Sequence, residues 1–140
     1  MNILTLPQEP NPMPFDADAE IVDVESAICK RLIECGAADG NVCVSDRIQE
    51  FIPPAIFVSA MSVTGDGRIG LWETMIAVSC INVSEYDALK LADFARRCLD
   101  GWGENKIADV SHVSTIPNRT AGTSPVIHTR VMTFRVLHQE

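Results

Sequence analysis

The alternation of hydrophobic and polar residues near the C-terminus predicts a long β-strand over residues 125–137. Successive side chains of a strand point to opposite faces, so this strand presents two sets of residues. One set is Val126, His128, Arg130, Met132, Phe134 and Val136, and the other is Ile127, Thr129, Val131, Thr133, Arg135 and Leu137. A strand that covers a monomer's core is usually apolar on one side only. Apolar residues together with an arginine on each side therefore predict packing partners on both faces.

Two other stretches have the spacing of amphipathic helices. Over residues 19–35 apolar side chains recur every three or four positions, and Gly36 is a natural stop. The second helix is expected to begin at Ser84, which is followed by an acidic first turn close to a capping box. Within it, Asp93 is placed to pair with Arg97 one turn later.

The remaining pattern predicts strands. Two strands, over residues 55–63 and 68–81, flank a turn signal at residues 64–67. The first is apolar on both faces, and the second is apolar on both faces over residues 74–81. A further strand is expected over residues 106–116, followed by a loop over residues 117–125. The order of elements predicts an α+β fold with a mixed, mostly antiparallel sheet and two main helices packed against it.

Composition places the chain among globular proteins, because 46% of its residues are hydrophobic and 21% are charged. Residues 1–15 hold four of the eight prolines and are expected to form an extended N-terminal arm. Residues 16–140 are expected to form a single domain. No apolar run approaches the ~20 residues of a membrane helix, and the start lacks the features of a secretion signal.

Charge is unevenly distributed within a formal net charge of −8. Residues 1–50 carry ten acidic and three basic side chains, whereas residues 106–140 carry two acidic and four basic ones. The acidic total argues against a protein whose main activity is binding nucleic acid, since that affinity comes largely from Lys and Arg on phosphates.

The motifs of common catalytic and metal sites do not occur. Residues 62–73 align with a twelve-residue calcium-binding loop and match its second half, but Ser62 and Thr64 stand in the first half where carboxylates belong, so we expect a β-turn. The three histidines lack metal-ligand spacing, and the five cysteines contain no CxxC pair. Neither a Gly-rich phosphate loop nor a nucleophile elbow is found. We therefore expect a non-enzymatic protein without cofactor or metal.

The layout resembles a known family. The first helix has an acidic start at residues 23–32 and is followed by paired strands. A second helix lies near residues 89–99, and the chain closes with the sequence T-R-V-M-T-F-R-V. Together they resemble the small tail terminator, or tail completion, proteins of long-tailed bacteriophages, which are minor tail proteins. The resemblance runs from about residue 18 to the end.

The resemblance implies an α+β subunit of a hexameric ring that caps the head-proximal end of the phage tail tube. Such a ring ends tube polymerisation and joins the tail to the head connector. The implied partners are further copies of the chain, the tail tube protein and the head–tail connector or stopper proteins. DNA would pass through the lumen without specific binding, and no membrane is involved. The implied location is the virion, after assembly in the host cytoplasm.

A ring needs heterologous interfaces, in which one patch meets a different patch on the next copy. The acidic first part and the basic last strand supply unlike patches, and acidic residues are expected in a lumen threaded by DNA. We expect subunit or partner contacts at six residues: Trp72, Arg119, His128, Arg130, Phe134 and Arg135. A head-completion or neck adaptor protein of the same particle stays open as an alternative, as does a small non-viral α+β binding module.

Overall fold

The computed structural model describes residues 23–44, 52–66, 70–120 and 127–139. Its helices are Val24–Glu34 (α1) and Glu85–Leu99 (α2), and a 3₁₀ turn spans Ala37–Gly40. Its strands are Val42–Val44 (β1), Ala55–Asp66 (β2), Leu71–Asn82 (β3), Ile107–Thr120 (β4) and Ile127–Gln139 (β5). The predicted α+β class is confirmed.

One five-stranded sheet carries the fold, with the strand order β1-β2-β3-β5-β4. β1 pairs with β2 in parallel, and every other neighbouring pair is antiparallel. β2 and β3 form the expected hairpin, whose ladder reaches Asp66 opposite Leu71. Residues 67–69, which include the end of the predicted turn, lie outside the described part of the chain.

Capping side chains mark the start of both helices, and a glycine marks the end of α1. Asp23 caps α1 by accepting a hydrogen bond from the Ser26 amide at 3.1 Å, and Gly36 follows the helix with a φ of 82°. Ser84 caps α2 through its hydroxyl, which accepts from the Asp87 amide at 3.1 Å. The predicted start of α1 at residues 19–22 lies outside the described residues.

The helices pack on the same face of the sheet and bury the larger of two core clusters, while Ala55, Phe57 and Ile81 form a smaller buried cluster on the opposite face. On β5 the helix-covered face is that of Met132, Phe134 and Val136, which pair across the ladder with buried residues of β3. Leu32 of α1 and Leu99 of α2 are fully buried against this face. We call this side of the sheet the covered face and the opposite side the open face. Burial of apolar surface, which contributes about 25 cal/mol per Å², is the main source of stability in such a layer.

Two features differ from the expectations. β1 is only three residues long, too short for a periodic pattern to identify. β4 continues to Thr120, so the loop predicted over residues 117–125 is wrong for residues 117–120. Pro117 is tolerated because β4 is an edge strand, where a residue without an N–H can turn that side away from its neighbour.

Candidate interaction surface

The predicted contact residues are divided between the two faces of the sheet. Alternation along β5 places His128, Arg130 and Phe134 on the covered face and Arg135 on the open face. Arg119 lies on β4 and pairs with His128, although its side chain is outside the described part of the structure. These residues therefore do not form one continuous patch.

Phe134 is a core residue. Its side chain is fully buried, and the ring of His112 meets it edge-on with 5.4 Å between centroids. A side chain without exposed surface in the monomer has no area to offer to a second subunit. The expected contact at Phe134 is therefore corrected, because the alternation identified its face but not that the helices cover that face.

Arg130 and His128 lie near the start of α2. The Arg130 side chain is only 18% exposed, and its Nη2 lies 3.5 Å from Oε1 of Glu85 in the first helical turn. His128 is half-buried and lies two residues before Arg130, on the same face of the strand. Both residues therefore help to position α2 on the sheet, and only a small part of the Arg130 side chain is exposed.

Arg135 belongs to the open face, where it pairs with a neighbour in its own chain. Its Nε lies 3.2 Å from Oε2 of Glu73 on β3, and both side chains are partly exposed. An exposed pair of this kind contributes about 0–1 kcal/mol, so its main effect is to neutralise the local charge. Nearby, half-buried Met75, Val131 and Leu137 give the open face an apolar component.

Trp72 lies at the end of the sheet where the β2–β3 hairpin turns. It is half-buried and pairs with Gly65 on one side and His138 on the other. A Cβ on Gly65 would collide with its indole ring. The tryptophan thus packs over its partner strand, and part of its surface is accessible to another molecule.

Part of the outer edge of β2 has its backbone hydrogen-bonding groups paired within the chain. β1 pairs with β2 at residues 56–58, and Oε2 of Glu25 accepts from the Ala60 amide at 2.8 Å. Beyond this point, no other strand in the described ranges pairs with residues 61–66, which we name the β2 free edge. Met61 and Val63 on this edge are 54% and 57% exposed.

The outer edge of β4 is arranged in the same way. Gly101 donates to the Val110 carbonyl at 2.7 Å, and the Asp100 carboxylate accepts from the His112 amide at 3.1 Å. Past these contacts, residues 113–120 pair with β5 but with no other strand that the structure describes, and we name them the β4 free edge. Ile116 on this edge is 61% exposed.

These free edges have no signature in the sequence pattern. Their exposed apolar side chains, Met61, Val63, Val113 and Ile116, fit the strand patterns like any other strand residue. Sequence alternation shows which residues share a face, but it does not show which strand lies at the edge of a sheet. Strand order was the missing information.

The described residues do not present a recognisable reactive site. They contain no group of three or more His, Cys, Asp or Glu side chains able to hold a metal ion. All five cysteines are free thiols, and burial raises the pKa of Cys80 to about 12. In the cleft between α1 and the segment before β4, Arg31 is held by Cys98 and Trp102, with 3.0 Å from its Nε to the Cys98 carbonyl oxygen.

Neither α1 nor α2, the helices of the described ranges, is long and apolar enough to cross a membrane. No protein-family model matches the sequence, and no curated protein matches it either. Among solved structures, the fold is similar to that of a chain from the virion of a native gene transfer agent particle. The TM-score is 0.63 at 14% sequence identity, over 84% of this chain and 95% of that one.

Proposed function

We propose that this chain is a structural protein of a phage-like virion and that it acts there as the tail terminator. Six copies would form a ring on the head-proximal end of the tail tube, end tube polymerisation and join the tail to the head connector. The observation that carries the proposal is the shared fold with a virion chain, which extends over 95% of that chain. The tail tube protein and the connector or stopper proteins are the proposed partners.

The charge of the open face supports a lumen through which DNA passes. On this face of the described strands, Arg135 is paired with Glu73, and Asp109 adds a further negative charge. Small hydroxyl residues such as Thr133 and Ser79 follow further along the same face. A surface without unpaired cations does not hold phosphate groups, because Lys and Arg supply most of the affinity for nucleic acid. In the proposed ring, the part of the open face that carries Glu73, Arg135 and Asp109 therefore lines the lumen.

A non-catalytic role is part of the same proposal. The buried His138 has a structural partner, because its Nε2 lies 2.7 Å from the Thr74 hydroxyl within the sheet. A catalytic acid or base needs access to substrate and a pKa matched to its reaction. The arrangement favours assembly through surfaces over chemistry at a pocket.

Inactivating the gene in the organism that produces the particle tests the proposal. Electron microscopy is expected to show tails much longer than normal, because the tube no longer receives its cap, and restoring the wild-type gene should restore tail length. Normal tails detached from heads would contradict the terminator role and indicate the neck adaptor. Unchanged particles would contradict any role in the virion.

A further inference from the structure

We propose that neighbouring copies in the ring join edge to edge, with the β2 free edge of one copy pairing with the β4 free edge of the next. The inference rests on the proposed function for the existence of a ring, and it adds the residues that form the interface. Both edges present unpaired backbone groups within the described residues, which are a template for strand addition. The two edges differ, so the interface is heterologous, as ring closure requires.

Strand directions allow this pairing. Along the order β2-β3-β5-β4 every step is antiparallel, so β4 runs opposite to β2. Copies related by rotation about an axis share their orientation, and β4 of one copy therefore meets β2 of the next in an antiparallel arrangement. The sheet continues with the same type of ladder that it has inside each copy.

The positions of the two edges define a stagger. The middle of the β2 free edge is near Thr64, whose row across the sheet is Glu73, Leu137 and Asp109. The middle of the β4 free edge is near Ile116, which lies in the row of Val131. Between Leu137 and Val131 there are six residue steps on β5, which correspond to about 20 Å at ~3.4 Å per residue.

This stagger corresponds to the tilt of strands in a barrel. Each copy contributes four strand spacings of ~4.8 Å to the repeat, about 19 Å in total. A shift of about 20 Å over about 19 Å inclines the strands by about 45° to the axis, at the upper end of the 35–45° typical of closed barrels. The free edges are therefore offset by the amount that a closed ring of tilted strands needs.

Pro117 favours pairing between unlike edges. It lies near the middle of the β4 free edge and has no N–H to donate. If two β4 edges paired with each other about this point, two prolines would meet and both donors would be missing. Pairing with β2 loses one donor only. Met61 and Val63 from one copy and Ile116 from the next would also lose exposed apolar surface at the contact.

The test uses the full-length chain with cysteines at two facing positions, Thr64→Cys and Ile116→Cys. Both residues lie on the open face of the sheet and are exposed. Under mild oxidation with a soluble copper complex and air, the double variant is expected to give a ladder of disulfide-linked oligomers on non-reducing gels. Each single variant is a control with the same natural cysteines. A second control combines Ile116→Cys with Tyr86→Cys, which is 67% exposed on α2.

A second measurement follows assembly by native mass spectrometry and electron microscopy. Val63→Lys is expected to abolish rings, because the β2 free edge would receive a charge. It should leave the monomer folded, because Val63 is 57% exposed. Leu89→Lys on α2, where the leucine is 45% exposed, is the matched control and should assemble like wild type.

The outcomes separate the interface from the function. The edge pairing would be overturned if Val63→Lys still formed rings like those of the wild type and the double cysteine variant gave no ladder. That result would leave the ring itself intact. Dimers from Ile116→Cys alone would indicate paired β4 edges and also overturn the proposed edge pairing. Open chains that show the ladder would support the edge pairing and contradict a closed cap. A monomer without cross-links at its highest soluble concentration would overturn the pairing, while the tail-length phenotype decides the terminator role independently.

Discussion

Trp72 on β3 lies directly over Gly65, its partner on β2, and occupies the space where any other residue at position 65 would place a Cβ atom. Glycine usually weakens a strand because it has no side chain to pack. Here the indole from the neighbouring strand covers the glycine, a device that restores packing. The pair fixes the hairpin end of the β2 free edge, to which Gly65 belongs.

Gly65→Ala should therefore destabilise the protein. The new methyl group collides with the indole, and overpacking of this kind costs about 1–3 kcal/mol. Urea unfolding followed by circular dichroism measures the loss, with Thr64→Ala at the exposed neighbouring position as the control. The cost should shrink in a Trp72→Ala background, because the colliding group is gone. An equal cost in both backgrounds would show that the contact is not its cause.

The helices, the hairpin and the alternation of β5 were predictable because each depends on local periodicity and end signals. Ser84, for example, marks the start of α2 in the sequence and caps it in the structure. The arrangement of strands was less accessible. Pro117 argued for a loop because the sequence does not reveal that its strand has a neighbour on one side only.

The candidate surface was predicted less well than the fold, for a related reason. Phe134 and Arg135 are adjacent in sequence and point to opposite faces, but their alternation does not say which face the helices cover. The free edges depend on capping by distant groups such as Glu25, which is 35 residues from Ala60. Contacts of this kind follow from the tertiary structure and leave no local pattern.

Removing the carboxylate of Glu25 should expose the amide of Ala60. This amide donates a 2.8 Å hydrogen bond to the Glu25 carboxylate and directly precedes the β2 free edge. In Glu25→Ala, hydrogen exchange at Ala60 should accelerate at least about tenfold, corresponding to about 1.4 kcal/mol of lost protection and within the range for hydrogen bonds to charged groups. Exchange measured by NMR checks this. Glu34→Ala, at an exposed position on the same helix, should leave the Ala60 rate unchanged.

The buried pair of Thr74 and His138 should be sensitive to loss of the hydroxyl. His138 Nδ1 lies 2.7 Å from the Gln139 carbonyl oxygen, which only accepts, so Nδ1 carries the proton. In the neutral ring, Nε2 then accepts from the Thr74 hydroxyl at 2.7 Å. Thr74→Val leaves Nε2 without this donor and should cost about 1–3 kcal/mol of unfolding free energy.

Thr74→Ser is the matched control for this pair, because it keeps the hydroxyl and should retain most of the stability. Urea denaturation compares the two variants, and ¹⁵N chemical shifts of the imidazole should show the proton on Nδ1 in the wild type. Equal stability of the valine and serine variants would contradict a structural role for the hydrogen bond.

Burial of Cys80 should make stability depend on alkaline pH. Burial raises the pKa of this fully buried thiol from 9.0 to about 12, because the thiolate is poorly solvated in the core. The unfolded chain loses the proton first as pH rises, so the contribution is complete below pH 9 and is lost between pH 9 and pH 12. Within this window, ionisation of this thiol should lower the unfolding free energy by about 1.4 kcal/mol per pH unit.

Urea denaturation at successive pH values should show a shallower slope in Cys80→Ala than in the wild type, whereas Ser79→Ala should keep the wild-type slope. Equal slopes in Cys80→Ala and wild type would mean that another group causes the alkaline loss.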